Sequence, residues 1–260
     1  MDKKLLIKEN ETLDDLQLDD LFVIQKRSGF RFGVDAVLLA NFANIKRNDN
    51  ILDLCSGTGI VPFIIAGKRK FNKIVGIEIQ EDMVDMAKRT AVYNELDEKI
   101  KFIAGDLKDI ELLKALGNFD VVTVNPPYKL KNSGITNKNR EDSIARHEIL
   151  CDIEDVIKSA NILLKDRGRF YMIHRPERIV DILTTMRKYK IEPKRIKMIQ
   201  PNEKKPPNLL LIEGHKNGGQ FLKWEKGICV YDNLGNYTQE LTSIYAKDGG
   251  EEERAREDYM

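Results

Sequence analysis

This sequence predicts an α/β fold: a doubly wound, seven-stranded, mostly parallel sheet with one antiparallel edge pair. Three observations carry that reading. From residue 50 to residue 213, short apolar runs alternate with segments of helical spacing, as βαβ units require. The first of these runs passes straight into a glycine loop, Ser56-Gly57-Thr58-Gly59. The last two runs are joined by a short Pro-containing connection too brief for a helix, so they must pair antiparallel. A chain of 260 residues with 42% hydrophobic side chains is long enough to bury such a core.

Residues 1–20 hold seven acids and three lysines among scattered leucines, which suggests an amphipathic or partly ordered lead-in. Residues 21–32, LFVIQKRSGFRF, carry strand-forming residues interrupted by Ser28-Gly29, the pattern of a hairpin turning there. Residues 34–44 have helical spacing. Ile51 to Leu54 is the first core strand, and an apolar helix runs on to Lys68. Lys73 to Ile79 and Glu81 to Asn94 give the second strand and helix. A third strand covers Lys101 to Ala104, a helix lies near Leu107 to Leu116, and Phe119 to Val124 is the fourth strand. Helix Ile153 to Leu164, strand Gly168 to Ile173 and helix Pro176 to Tyr189 follow. Strands Pro193 to Gln200 and Asn208 to Glu213 close the sheet. Residues 214–250 contain a Gly-Gly turn and VYDNLGNYT, which predict an appended hairpin or meander. The charge-dense EEERAREDYM reads as a solvated tail. Four segments result: an N-terminal lead-in with hairpin and helix (1–48), a catalytic core (49–214), a C-terminal extension (215–250) and the tail (251–260).

Forty-three basic against 42 acidic residues give a net charge of +1, so no global excess points to a polyanion. The local distribution does. Residues 165–205 hold 13 Lys/Arg against five acids, net +8, whereas residues 1–25 are net −4. A solvated helix face would explain the basic stretch, and so would phosphate contact. Cys55, Cys151 and Cys229 are widely separated, as are His147, His174 and His215, with no CxxC or HxxxH pair. Neither a metal site nor a disulfide framework is expected. No run approaches the ~18 apolar residues of a membrane span, and a soluble cytoplasmic protein is expected. The sequence leaves the oligomeric state open, a monomer included.

The chemistry-bearing motifs fall at the strand ends. Asp53-Leu54-Cys55-Ser56-Gly57-Thr58-Gly59 ends the first strand, and its glycines let a ligand approach the backbone. It is not a dinucleotide fingerprint, because Pro62 stands where a third glycine belongs. Glu78 ends the second strand, where an acceptor-only carboxylate suits a pair of ribose hydroxyls. Asp106 follows the third strand and could accept from an exocyclic amine or cap the next helix. Asn125-Pro126-Pro127-Tyr128 follows the fourth strand at once. Two prolines remove two donors and leave carbonyls facing outward. An Asn carbonyl and a neighbouring backbone carbonyl can then share one NH2 group, with the Tyr128 ring over a conjugated plane.

With DLCSGTG, GIEI, AGD and NPPY in this order, residues 32–213 resemble the class I S-adenosylmethionine methyltransferases that act on planar amino groups. GFRFGVDAVLLANFA and VYDNLGNYT resemble, more narrowly, the bacterial tRNA adenine-N6 methyltransferases that modify the adenine beside the anticodon of a valine tRNA. The resemblance implies a Rossmann-like methyltransferase fold and S-adenosyl-L-methionine as cofactor. It puts Asp53, Cys55, Gly57 and Gly59 at the methionine end. Glu78 and Ile79 would lie at the ribose, Asp106 and Leu107 at the adenine, and Asp35 would close over the cofactor. Asn125, Pro126, Pro127 and Tyr128 would form the catalytic set, with Asn125 also bordering the cofactor. Lys129, Lys131, Arg140, Arg175, Lys194 and Arg195 would contact an RNA partner. Two alternatives stand beside this reading: a glutamine-N5 methyltransferase of the release-factor type, and a non-catalytic cofactor- or RNA-binding module. The former usually has a longer helical N-terminal part than the roughly 50 residues found before Asp53.

Overall fold

The structure, a computed structural model, describes residues 3–18, 20–27, 33–127 and 151–245. Its centre is one sheet in which β3 (Asn50–Leu54), β4 (Lys73–Glu78), β5 (Ile100–Ala104), β6 (Phe119–Val124) and β7 (Leu164–His174) run parallel. β8 (Ile191–Gln200) and β9 (Leu209–Lys216) pair antiparallel, and β9 lies between β7 and β8, antiparallel to both. The order β8-β9-β7-β6-β3-β4-β5 is the expected seven-stranded sheet. Two further strands, β10 (Lys223–Trp224) and β11 (Ile228–Cys229), bring the total to nine. Both run parallel to β8 at the sheet edge, so the C-terminal stretch extends the sheet instead of forming a separate meander. The expected boundary after residue 214 therefore falls inside β9.

Helices cover both faces, which is why the parallel strands read as unbroken apolar runs. α1 (Val34–Phe42), α2 (Ile60–Lys68) and α3 (Glu81–Tyr93) pack over Ile51, Ile74, Val121 and Tyr171. α4 (Ile110–Leu116), α5 (Ile153–Leu163) and α6 (Ile179–Lys188) cover Leu52, Leu54, Val122 and Met172. A last helix, α7 (Gln239–Tyr245), returns to α1. Each helix obeys local chemistry. Asp109 caps α4 by accepting from the Glu111 and Leu112 amides, and Asp152 and Asp155 form a capping box on α5. Pro62 sits in the first turn of α2, where a missing N–H costs no helical bond.

The N-terminal ribbon differs from expectation. β2 (Phe22–Lys26) pairs antiparallel with β1 (Glu11–Asp15), so the chain reverses between Asp15 and Phe22; the turn expected at Ser28-Gly29 lies outside the described residues. β1 sits inside the acidic lead-in. Its acids at Asp14 and Asp15 hide the strand pattern, and the ribbon holds because Arg89 of α3 grips Glu11 with two nitrogens, each at 2.7 Å. Residues 28–32 are outside the described residues. No helix among the described residues is long and apolar enough to cross a membrane.

Candidate active site

Strand register assembles the site. β3 lies between β6 and β4, with β5 beyond. Leu54 pairs with Val124 and with Ile77, and Glu78 pairs with Ala104. The carboxyl ends of four neighbouring strands thus put Asn125, the loop Cys55–Gly59, Glu78 and Asp106 in one row, the usual ligand edge of an open α/β sheet.

The glycine loop is braced from below. The Ser56 amide donates to the Ile77 carbonyl at 3.0 Å, and the Gly57 amide donates to Glu78 Oε2 at 2.9 Å. Gly57 (φ 54) and Gly59 (φ 83) adopt left-handed backbone, and so does Cys55 (φ 55), which a non-glycine residue rarely does. A Cβ on Gly57 would meet nothing within 4 Å, leaving its backbone open to a ligand. One on Gly59 would lie 2.5 Å from the Phe102 ring, so that glycine is a packing requirement. No side chain caps α2, so its first amides remain available to an anionic group.

Buried polar groups surround the loop. Asp53 is 2% exposed and accepts from Thr123 Oγ1 at 2.6 Å. Burial pushes its carboxyl up to about 7, Thr123 opposes that, and the nearby Glu78 charge adds to it. Ser56 Oγ is buried without a hydrogen-bond partner among the described residues. The Cys55 thiol is held well above its usual range by its hydrogen bond with Cys151 and by burial, so it stays protonated. Glu78, 6% exposed, also accepts the Gln80 amide at 3.1 Å on Oε1. Oε1 also accepts from Gln80 Nε2 at 3.2 Å, so Oε2, with the Gly57 amide as its partner, is the oxygen that keeps a lone pair for a further donor.

The other expected residues are placed unequally. Ile79 is exposed at the rim, 37%, as an apolar cover for a ring would be. Asp106 accepts the Lys108 amide at 2.8 Å; the cap of α4 is Asp109, so Asp106 is not used as that cap. Leu107 turns its side chain into the core, and only its backbone borders the row. Asn125 is half-buried and its amide bonds no described residue; Pro126 is buried and Pro127 half-buried. Asp35 stands in the first turn of α1, outside the row. Tyr128, Lys129, Lys131 and Arg140 lie outside the described residues.

The basic residues need correction. Arg175, at the end of β7, donates to the Asn208 carbonyl at 3.1 Å on the ligand edge. Lys194 and Arg195 lie in the first half of β8, and both charges have partners within the chain. The Lys194 ammonium donates to the Gly219 and Gln220 carbonyls at 3.1 and 2.9 Å. Arg195 bonds Glu213 and Glu225 and lies 4.4 Å above the Phe42 ring centroid. Both stand at the start of β8, the opposite end of the sheet from Asn125. Thr123 and Ser56 are the residues that sequence reasoning missed. Thr123 becomes visible only through the Asp53–Thr123 pairing of β3 and β6.

The set of groups suits a nucleoside-bearing cofactor with a charged tail: a buried hydroxyl with no partner among the described residues, an open glycine backbone, a carboxylate oxygen with room for a further donor and uncapped helix amides. Among the described residues no cluster of three or more His, Cys, Asp or Glu could hold a metal.

Known proteins agree. A tRNA1(Val) (adenine(37)-N6)-methyltransferase of Porphyromonas gingivalis is 29% identical over 195 residues, covering 73% of this chain and 76% of that protein. A protein of the same name from Aliivibrio salmonicida is 26% identical over 185 residues, covering 71% and 77%. Among solved structures, one described as a predicted O-methyltransferase of Agrobacterium tumefaciens superposes with a TM-score of 0.63 at 20% identity, covering 84% of this chain and 99% of that one. At that identity the likeness carries the fold alone. The family described as "Methyltransferase domain" matches residues 45–228, and with most of the chain so covered, this protein belongs to the methyltransferase domain family.

Proposed function

We propose that this chain is an S-adenosylmethionine-dependent N-methyltransferase whose acceptor is the N6 amine of an adenine in tRNA, acting in the cytoplasm where tRNA resides. The carrying observation is the register that sets Asn125 beside the glycine loop, one residue past the Leu54–Val124 pair. The names of the relatives support the choice of adenine in tRNA over glutamine in a protein.

An aromatic amine is a poor nucleophile because its lone pair is delocalised into the ring. The Asn125 side-chain carbonyl and the Pro126 backbone carbonyl can each accept one amine hydrogen. Pulling both out of the ring plane pyramidalises the nitrogen and localises its lone pair. This interaction strengthens as planarity is lost, so it favours the transition state over the bound substrate. The cofactor, when bound, supplies an electrophilic methyl on a sulfonium that leaves as a neutral thioether. Asp53, Gly57 and Gly59 would hold its amino-acid end, Glu78 its ribose and Asp106 its adenine. No strong base is required, since the nitrogen proton becomes acidic on methylation. Burial holds the His174 imidazole down to about 4, which makes it a weak base.

The test is incubation with unmodified tRNA and labelled methyl donor, followed by nucleoside mass spectrometry. N6-methyladenosine supports the proposal. Label appearing only in a glutamine of a release-factor peptide would replace it.

A further inference from the structure

Past the end of β8 three tyrosines form a stack. The Tyr231 and Tyr237 rings lie 5.4 Å apart at 27°, and those of Tyr237 and Tyr245 lie 5.9 Å apart at 13°. A tight turn fixes the outer pair. Tyr231 and Tyr237 form an antiparallel bridge, and Gly235 takes φ 86 between them. Asp232 accepts the Leu234 and Asn236 amides at 2.8 and 2.9 Å, so its charge is engaged by the turn itself. The inner end, Tyr245, is half-buried against the apolar core and fastens α7 to it. That anchoring accounts for Tyr245 and Tyr237. It leaves Tyr231 unexplained: the residue is 40% exposed, and Tyr237 is the one aromatic ring stacked on it among the described residues.

The position of Tyr231 is informative. The Val230 amide donates to the Gln200 carbonyl at 2.9 Å and the Tyr231 amide to the Pro201 carbonyl at 2.8 Å. Tyr231 therefore continues from the carboxyl end of β8. Because β6, β7 and β8 run the same way, this is the sheet edge that carries Asn125. The steps from β6 through β7, β9 and β8 to β11 span about 19 Å at ordinary strand spacing. The β8–β9 connection on this edge bears Lys204 and Lys205, both exposed and in no ion pair with the described residues.

A partly exposed flat ring and two uncommitted lysines on the active-site edge have the chemistry that binds single-stranded nucleic acid. The ring stacks on any base, and the lysines meet phosphate. We propose that Tyr231 is a stacking platform for an unpaired base of the RNA substrate, away from the target adenine, with Lys204 and Lys205 on the intervening phosphates. This rests on the tRNA reading above, and it adds a second point of grip that sets which RNA loop reaches Asn125.

The experiment measures, for the full chain, anisotropy with a short single-stranded RNA and kcat and KM with unmodified tRNA. Tyr231→Leu keeps apolar bulk but removes the flat ring; Tyr231→Phe keeps the ring. Tyr231→Leu should weaken RNA binding and raise the tRNA KM roughly tenfold, the scale of one base–aromatic stack, with kcat little changed. Tyr231→Phe should behave as the parent. Photocrosslinking of bromouridine-substituted RNA to the parent protein should label the segment around Tyr231, a readout that needs no variant to fold. Unchanged RNA affinity and KM in Tyr231→Leu, or crosslinks that avoid this segment, would overturn the platform. Ring-dependent RNA binding in a protein that never methylates tRNA would keep the platform and overturn the methyltransferase reading instead.

Discussion

The Gly57 amide donates to Glu78 Oε2 across 2.9 Å, joining the glycine loop after β3 to the last residue of β4. The carboxylate that shapes the loop is also the proposed acceptor for a ribose. Glu78→Ala should weaken cofactor affinity by about 1–3 kcal/mol, the range for hydrogen bonds to a charged acceptor. Glu78→Gln, which keeps one acceptor, should fall between. Calorimetry with the demethylated product reads both, and unaltered affinity in the alanine variant would remove Glu78 from the site.

The two loop glycines should fail in different ways. Gly59→Ala forces a methyl into the Phe102 and Phe63 rings on left-handed backbone, and should cost about 2–5 kcal/mol of stability from overpacking and strain. Gly57→Ala meets open space, so it should cost about 1 kcal/mol of stability while obstructing the ligand. Thermal melts and cofactor titrations of the two variants separate these outcomes. Similar melting losses in both would show that Gly57 is structural.

Asp53 gives the pH dependence. Its folded pKa, about 7, is raised above the 3.8 of an exposed group, so the native state holds a proton that the unfolded chain releases. The resulting stability is complete below about pH 4 and is lost as pH rises through about 7, up to about 4 kcal/mol. Asp53→Asn should flatten that slope in denaturant unfolding near pH 5 and pH 8. A cationic cofactor favours the ionised carboxylate, so binding near pH 6 should release a proton, seen as a dependence of binding heat on buffer ionisation. Thr123→Val removes a bond that holds the pKa down and should shift the release to higher pH. Binding heats independent of buffer would contradict this assignment.

Arg195 separates packing from recognition. Arg195→Ala leaves Glu213, 6% exposed, without its guanidinium partner. A loss of about 2–4 kcal/mol in stability is expected, the scale of a broken, partly buried pair. RNA affinity should stay within about twofold once the variant is folded. A large drop in RNA binding with normal stability would return Arg195 to the interface.

The sequence reveals the sheet and most of the row because both depend on local pattern. Strands covered on two faces read as apolar runs, and the row residues sit directly after those runs. Features made by pairing are hidden. β1 is masked by its acids, and β10 and β11 are two-residue strands that exist only because β8 presents an edge. Thr123 looks like any strand threonine until it faces Asp53. Charge density misleads for the same reason: Lys194 and Arg195 count as basic in the chain, yet their partners, Gly219, Gln220, Glu213 and Glu225, come from distant segments.

The central claim is that Asn125 acts on the amine and not on the methyl donor. The direct measurement is single-turnover methyl transfer to tRNA by Asn125→Ala, alongside its cofactor affinity. Cofactor affinity near the parent value, with transfer slowed by on the order of a hundredfold or more, is the predicted result, as for loss of one transition-state hydrogen-bonding partner. Transfer at the parent rate would contradict the account.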